Sequence, residues 1–563
     1  MRNIFAIFLF ALLCVSAEQS KAGISEYHDA VDVVNGHLAN IDQMRDSLLC
    51  DGADLVLSCG DGICQPEQGE TALNCPADCV DSPVKSYDNA MVCSAVRALY
   101  EPDSIAQVQE LVKYALNSSA GIRVVGSRHT VNDQYCTDGI VISTAKLNRV
   151  IGIVKERDGT ESVVVEPGVT MGDLAKWLHT KKRSLGYAQL GFRNATVGGA
   201  TGTGAHGASA IHTDVISNIV RAVTIVDGLG NIREVNENFG PNDAMRAART
   251  HLGLLGAVVR IKLKIVPQFR LHVTFTDDDD QSLVNGAGVF DQIAGCDYAL
   301  INWFPISGRM LKTCGVQTTQ NAEAGAENTL LTPPIPSILT QPFKVVLHYG
   351  MCYEPLNEAL ENLRYLQLKW IPPFRKAGIF GDLSSTSEAV GYSHLMMTSA
   401  LITPQNKFFT DDWELAVPFS RAQEAIRAVS NYVQSTGLRL PLIGLLLRFA
   451  RSEDLTLLAH TTSIGAFKKG EPVLFIEIAT PAPVGLSDQV AGRINAVYEN
   501  LARMLIADFE ARPHWGKNKD FVFAMQNDLK VYGNNFARFE KVKNEFDPFG
   551  LFMTPFAVNA GFR

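Results

Sequence analysis

The chain has 563 residues, 46% hydrophobic and 19% charged, an ordinary balance for a folded protein of more than one domain. Lys and Arg number 50 against 59 Asp and Glu, a formal net charge of -9. No basic run interleaves with aromatics, so nucleic acid is not an expected partner.

The start of the chain reads as a removable leader. Arg2 gives a positive n-region, Ile4 to Val15 an apolar stretch, and Val15-Ser16-Ala17 a small-residue cleavage site. The apolar stretch is too short to span a bilayer, and no later segment reaches spanning length. Residues 1–17 are therefore expected to be a signal peptide, and the mature protein to be secreted or held in the secretory lumen, with no transmembrane span.

Cys50, Cys59, Cys64, Cys75, Cys79, Cys93 and Cys136 crowd the early chain, while Cys296, Cys314 and Cys352 come later. Such density in an oxidising compartment reads as a disulfide cluster, with zinc the rival reading. Within residues 18–85, a Cys-rich module at about 50–80 contains Cys59-Gly60-Asp61-Gly62-Ile63-Cys64 followed by Glu67, Glu70, Asn74 and Asp78. It resembles the small CGDGxC modules of extracellular proteins. Its acidic oxygens suit calcium better than zinc, but Asp and Gly are also plain turn formers, and a metal-free knuckle is the preferred reading.

A second unit is expected over 86–270. Pro102-Asp103-Ser104-Ile105 opens a capped helix, and Ile122 to Val125 is a short buried strand running into Gly126-Ser127-Arg128-His129-Thr130. Glycine after a strand lets backbone N–H groups approach a phosphate. A second glycine-rich loop, Val197 to Gly207, places Gly202, Gly204 and Gly207 at GxGxxG spacing, yet the residues before it are polar and turn-like, which argues against a Rossmann turn for NAD. Val223 to Ile232 reads as strand, tight turn and return strand, with Asp227 in the turn. Asn242 to Leu255 reads as a helix stopped at Gly256, and Val258 to Val266 as a half-buried strand ended by Pro267.

Two separated glycine loops can clamp one pyrophosphate between backbone donors. The stretches Gly126 to Thr130, Cys136 to Gly139, Lys146 to Arg149, Val165 to Thr170, Thr196 to Gly199, Gly202 to Gly207 and Leu252 to Gly256, with Arg512 to Lys517 and Phe546 to Phe552 near the end, occur in order. Together they resemble the vanillyl-alcohol-oxidase superfamily, whose FAD domain is of the PCMH type, and within it the sugar-1,4-lactone and alditol oxidase branch. The resemblance implies an α+β fold: a two-part FAD-binding domain over 86–270, then an α+β substrate or cap domain over 271–563 whose C-terminal segment returns to the flavin.

The resemblance also implies a function: oxidation of a hydroxyl-bearing carbon in a small lactone, alditol or related alcohol, with hydride passing to FAD and oxygen or another acceptor reoxidising it. The alternatives are a dehydrogenase using another acceptor and a non-catalytic flavin binder. In the family the His of the first loop is bonded to the flavin, which assigns a covalent link to His129. Gly126, Ser127, Arg128, Thr130, Gly198, Gly199, Gly202, Gly204, His206 and Gly207 are the implied cofactor-binding set. Lys517 and His514 of the His-Trp-Gly-Lys run, Glu414 on the strand Trp413 to Pro418, and Arg448 are the implied catalytic set, and no metal is assigned to the site.

One position departs from the family pattern. Where many relatives carry Glu-x-Arg, this chain has Leu446-x-Arg448. The loss of a hydroxyl acceptor there disfavours a polyol, since a buried hydroxyl without a partner costs about 1–3 kcal/mol. Leu442 to Leu447 and the Met396-Met397 pair would either line a greasier pocket or form core, the commoner role of such runs.

Overall fold

The computed structural model describes Cys79 and residues 84–329 and 361–563, apart from short breaks at 90, 188–192, 214, 238–242, 287, 363, 367, 371, 378–382, 398–409, 437–443 and 482–487. The leader, the CGDGxC run with its calcium reading, and Cys352 lie outside the described residues. Cys79 is disulfide-bonded, and Cys93–Cys136 and Cys296–Cys314 are linked.

The described chain opens with a small parallel sheet. Strands β1 (Ala98–Tyr100) and β2 (Ile122–Val125) flank β3 (Ile140–Ser143), with helix α1 (Ile105–Ser118) crossing between β1 and β2. The Ser104 side chain caps α1 as expected, accepting from the Gln107 N–H. Val108, Val112 and Ala115 pack inward with Ile122, Ile140 and Ile142.

Beside it lies an antiparallel sheet in the order β4 (Val150–Lys155), β5 (Glu161–Val165), β9 (Ala257–Pro267), β7 (Val220–Val226) and β8 (Ile232–Asn236). Strand β6 (Arg183–Leu185) also pairs with β9. Helix α2 (Met171–Thr180) buries Met171, Leu174 and Leu178 against its core. The β7–β8 turn is as read: buried Asp227 accepts the N–H groups of Leu229 and Asn231.

Two expectations change here. The second glycine segment is not a loop, because Val197–Thr203 forms a helix, α3, capped by the Thr196 hydroxyl and ended at left-handed Gly204. The expected helix from Asn242 to Leu255 is shorter: α4 covers Asp243–Ala248, and Leu252 and Gly253 follow with φ of 53° and 72°. Left-handed backbone at successive residues cannot continue a right-handed helix.

The second unit is built on an eight-stranded antiparallel sheet in the order β16-β10-β12-β11-β18-β19-β17-β20. Its strands are β10 (Arg270–Asp279), β11 (Tyr298–Phe304), β12 (Arg309–Thr318), β16 (Glu388–Tyr392), β17 (Thr410–Pro418), β18 (Leu445–Arg451), β19 (Pro472–Pro481) and β20 (Arg512–Pro513). A three-stranded sheet of β13 (Glu327–Asn328), β14 (Phe374–Ala377) and β15 (Leu383–Thr386) stands apart. Helices α5 (Ala422–Thr436) and α6 (Asp488–Phe509) cover one face of the large sheet, where Ile426, Val429, Leu501 and Leu505 meet Trp303, Leu447, Phe449 and Ile476. The opposite face carries the site.

The C-terminal segment returns to the first unit. The Ile122 N–H donates to the Leu551 carbonyl and the Gly228 N–H to that of Phe546. The Asp547 carboxylate accepts the N–H groups of Leu551 and Phe552, and so shapes the turn of the Asp-Pro-Phe-Gly run. Among the described residues no helix is long and apolar enough to cross a membrane.

Candidate active site

Strand register places the site. In antiparallel pairing, residues directly opposite share a face. Glu414 on β17 stands opposite Glu477 on β19, Glu477 opposite Leu446 on β18, and Leu446 opposite Asn302 on β11. Two residues along, Ala416, Phe475 and Arg448 form the next row. This face therefore carries Glu414, Glu477 and Arg448 among mainly apolar neighbours, with Asp412 and Asn302 at its margins.

The turn after β20 adds Lys517. Asn518 holds this turn in place: its amide donates to the carbonyls of Glu414 and His514, and its oxygen accepts the Glu414 N–H. The four charged groups close into a ring of alternating sign. Arg448 binds Glu414 and, at 2.8 Å, Glu477. Lys517 binds Glu477 and lies 3.4 Å from Glu414.

Burial raises the Glu414 carboxyl, but Arg448, Lys517 and His206 together hold it well below the usual range. Burial pulls the Lys517 ammonium down, and Glu414 and Glu477 more than offset this, so it stays protonated. Arg448 follows the same balance.

Three buried imidazoles pack beside the ring. His206 stacks on Phe475 with centroids 3.4 Å apart, and its Nε2 lies 3.1 Å from Glu414 Oε1. His460 and His514 sit 4.6 Å apart by centroid. Ring nitrogens of His206, His460 and His514 come within 4.8 Å of one another. Burial holds all three below the ordinary histidine range, which makes them neutral. His514 Nδ1 accepts the Gly516 N–H, so its proton sits on Nε2 and that nitrogen is a donor.

The segment carrying His129 abuts the Lys517 turn. The Val131 N–H donates to the Gly516 carbonyl, and the Asn132 amide reaches the carbonyls of Trp515 and Lys517. Tyr87 donates its N–H to the Arg128 carbonyl and lays its ring 4.1 Å from that of His129. Arg128 is left-handed, φ 55°. Gly126 faces Thr196 so closely that a Cβ would lie 2.0 Å from Thr196 Oγ1.

The glycines of α3 serve close packing. A Cβ on Gly198 would strike Pro167 at 2.7 Å, and one on Gly202 would strike His251 at 2.9 Å. The first N–H groups of α3 are already spent: that of Val197 on Val169, that of Gly198 on Pro167, that of Gly199 on the Thr196 hydroxyl. The start of α3 therefore offers no free donor to a pyrophosphate. On the first segment the N–H groups of Gly126, Ser127, Arg128 and Thr130 make no hydrogen bond with the described residues.

The structure thus brings Lys517, His514, Glu414, Arg448 and His206 together, with Gly126 to Thr130 alongside. It places Gly198, Gly199, Gly202 and Gly204 in and at the end of the supporting helix, and Gly207 beyond it, its carbonyl 3.1 Å from His206 Nδ1. Leu446, Met396 and Met397 belong to one buried core cluster, so the core reading of these residues holds; Leu442 and Ile443 lie outside the described residues.

Sequence reasoning missed Glu477, His460, Tyr87 and Asp412. Glu477 left a signal, a lone carboxylate inside the apolar run Val473 to Ala479. His460 and Tyr87 left none.

Asp412, two residues before Glu414 on β17, is pushed up to about 7, by burial first and then by Glu477, Asp411 and Glu414, against the pull of Lys517. An acid whose pKa is raised on folding stays protonated in the native state while the unfolded chain ionises. Its contribution therefore falls as pH climbs from about 4 to about 7. Asp412→Asn should match wild type near pH 4 and be more stable at pH 8, checked by thermal unfolding at both values; equal stability at pH 8 would refute the shift.

Comparison with known proteins agrees with this geometry. Residues 96–236 match an FAD binding domain, and residues 261–560 match the D-arabinono-1,4-lactone oxidase family. L-gulonolactone oxidase of Mus musculus is 26% identical over 81% of this chain and 93% of its own length. L-gulono-1,4-lactone dehydrogenase of Mycobacterium tuberculosis is 24% identical over 84% and 98%. Cholesterol oxidase from B. sterolicum shares the fold with a TM-score of 0.68 at 13% identity, covering 84% of this chain and 96% of that one.

The protein is an FAD-dependent oxidoreductase acting on CH–OH donors. It belongs to the D-arabinono-1,4-lactone oxidase family, within the PCMH-type FAD superfamily. The residues present suit that cofactor: a backbone segment with free N–H groups suits a pyrophosphate, and a cationic pair beside it suits a reduced, anionic flavin ring.

Proposed function

We propose that the protein is a secreted enzyme that oxidises a hydroxyl-bearing carbon of a small sugar lactone, alditol or related alcohol, with FAD bonded covalently to His129 and oxygen as the acceptor that reoxidises it. The observation that carries the reading is the closed ring of Glu414, Arg448, Glu477 and Lys517 set against the segment that bears His129. The FAD-binding unit is taken as 86–270 and the substrate unit as 271–563.

Bound FAD supplies the two-electron acceptor for the substrate C–H bond. The N–H groups of Gly126, Ser127, Arg128 and Thr130 would hold its pyrophosphate, and α3 with its close-packed glycines backs that segment through Thr196. Lys517 and Arg448 stabilise negative charge on the substrate oxygen, which fixed cations do without reorganising. His514, neutral with its proton on Nε2, donates a hydrogen bond; it is not a base. His206 and Glu414 buttress the ring from its buried side.

Anaerobic addition of L-gulono-1,4-lactone, other aldonolactones and alditols, followed by flavin absorbance, tests the activity; a panel in which nothing bleaches the flavin would refute it. Intact-mass spectrometry tests the link. Wild type should carry the cofactor mass after acid precipitation and His129→Ala should not, whereas an unmodified wild-type mass removes the covalent assignment.

A further inference from the structure

Glu477 stands where three strands converge on the site. Its Cα is in register with Glu414 on one side and Leu446 on the other, so its side chain shares their face. Its carboxylate touches both cations, Lys517 and Arg448. The four members of the ring are not equally covered: the Glu414 side chain is 0% exposed, Glu477 9%, Arg448 7% and Lys517 16%.

The two carboxylates are thus inequivalent. Glu414 has Arg448 and His206 on Oε1 and Lys517 facing Oε2, and its side chain is fully covered. Glu477 is slightly less covered than Glu414 and lies one strand from Leu446. Neighbouring strands lie about 4.8 Å apart, within the reach of a Glu side chain. A carboxylate on β19 can therefore reach where one rooted at position 446 on β18 would stand, while Leu446 itself is committed to the core with Leu300, Leu311 and Met397.

We propose that Glu477 is the carboxylate that accepts a hydrogen bond from a substrate hydroxyl, and that Glu414 is a positioning residue holding Arg448 and Lys517. The inference deepens the proposed function and rests on it. It also reverses a consequence drawn from the sequence: Leu446 does not strip the site of a hydroxyl acceptor, because the acceptor is rooted on the adjacent strand. The ligand class is then a polyhydroxylated lactone or alditol with a hydroxyl beside the reacting carbon. A simple apolar alcohol, lacking that second hydroxyl, gains nothing from Glu477.

The test is made on the flavin-loaded protein with L-gulono-1,4-lactone, reading both lactone-dependent thermal stabilisation and the split of kcat from KM. Glu477→Gln keeps the side-chain shape and should weaken lactone binding about 10- to 100-fold, the scale of one charge-assisted hydrogen bond. The transposed variant Leu446→Glu/Glu477→Leu, which returns the carboxylate to β18, should bind the lactone more tightly than Glu477→Leu alone. Oxidation of a mono-alcohol by Glu477→Gln should change far less in KM than oxidation of the lactone.

Glu477→Gln that is stabilised by the lactone as strongly as wild type, or a transposed variant that holds flavin yet binds no better than Glu477→Leu, overturns the assignment. A wild-type protein neither stabilised nor reduced by any lactone or polyol refutes the proposed function instead. The two failures are distinct.

Discussion

Lys517→Ala should retain its flavin and yet reduce it about 10²–10³-fold more slowly under anaerobic single-turnover conditions, the scale of losing one preorganised electrostatic stabiliser. The ammonium is fixed by Glu477 and Glu414 before substrate arrives. It therefore needs no rearrangement to meet charge developing on the substrate oxygen. Lys517→Arg should recover little, because a planar fork cannot replace a compact ammonium between two carboxylates. Stopped-flow reduction separates this step from reoxidation. Reduction at the wild-type rate would move the role to Arg448 and weaken the lactone-oxidase reading of the site.

Arg448→Ala should have the largest effect on stability. The guanidinium is the partner shared by Glu414 and Glu477, and all three are buried. Removing it leaves two carboxylates facing a single ammonium, and breaking such a buried pair costs about 3–5 kcal/mol. Thermal unfolding at a fixed scan rate should show the loss, and Glu477→Gln added to Arg448→Ala should recover part of it by removing the uncompensated charge. An Arg448→Ala protein as stable as wild type, or a double variant worse than the single, contradicts the charge-ring account.

Local elements were legible where periodicity and turn chemistry agree. The strand through Ile122 to Val125, the Ser104 cap, the turn at Asp227 and the strand through Trp413 to Pro418 were all readable, since each depends on neighbours in sequence. The Val197 to Thr203 segment was not. Its glycines look like a loop because their helix propensity is poor, but Thr196 caps the segment and Pro167 and His251 press so closely on Gly198 and Gly202 that no larger residue fits. Tertiary contact decided that conformation, and single-residue preference did not.

The site was half legible for a similar reason. Lys517, His514, Glu414 and Arg448 were found through an ordered set of motifs, but nothing local says that Glu477 lies opposite both Glu414 and Leu446. That is a fact of register between strands far apart in sequence. His460 comes from a turn after β18 with no pattern of its own, and reaches His514 only because the chain folds back.

The return of residues 546–552 to the first unit bears on how the chain is made. Strand β2 starts at Ile122, whose N–H waits for the Leu551 carbonyl, and the turn at Gly228 waits for Phe546. Leu551 and Phe552 also complete the core under β2 and β3. A ribosome delivers these residues long after β2 and β3, so the unit translated first cannot close until they emerge. Nascent chains should hold an open, apolar cleft beneath β2 and β3 for most of their time on the ribosome, a span in which chaperone contact is expected. Losing residues 546–552 would accordingly damage the unit built from β1 to β3.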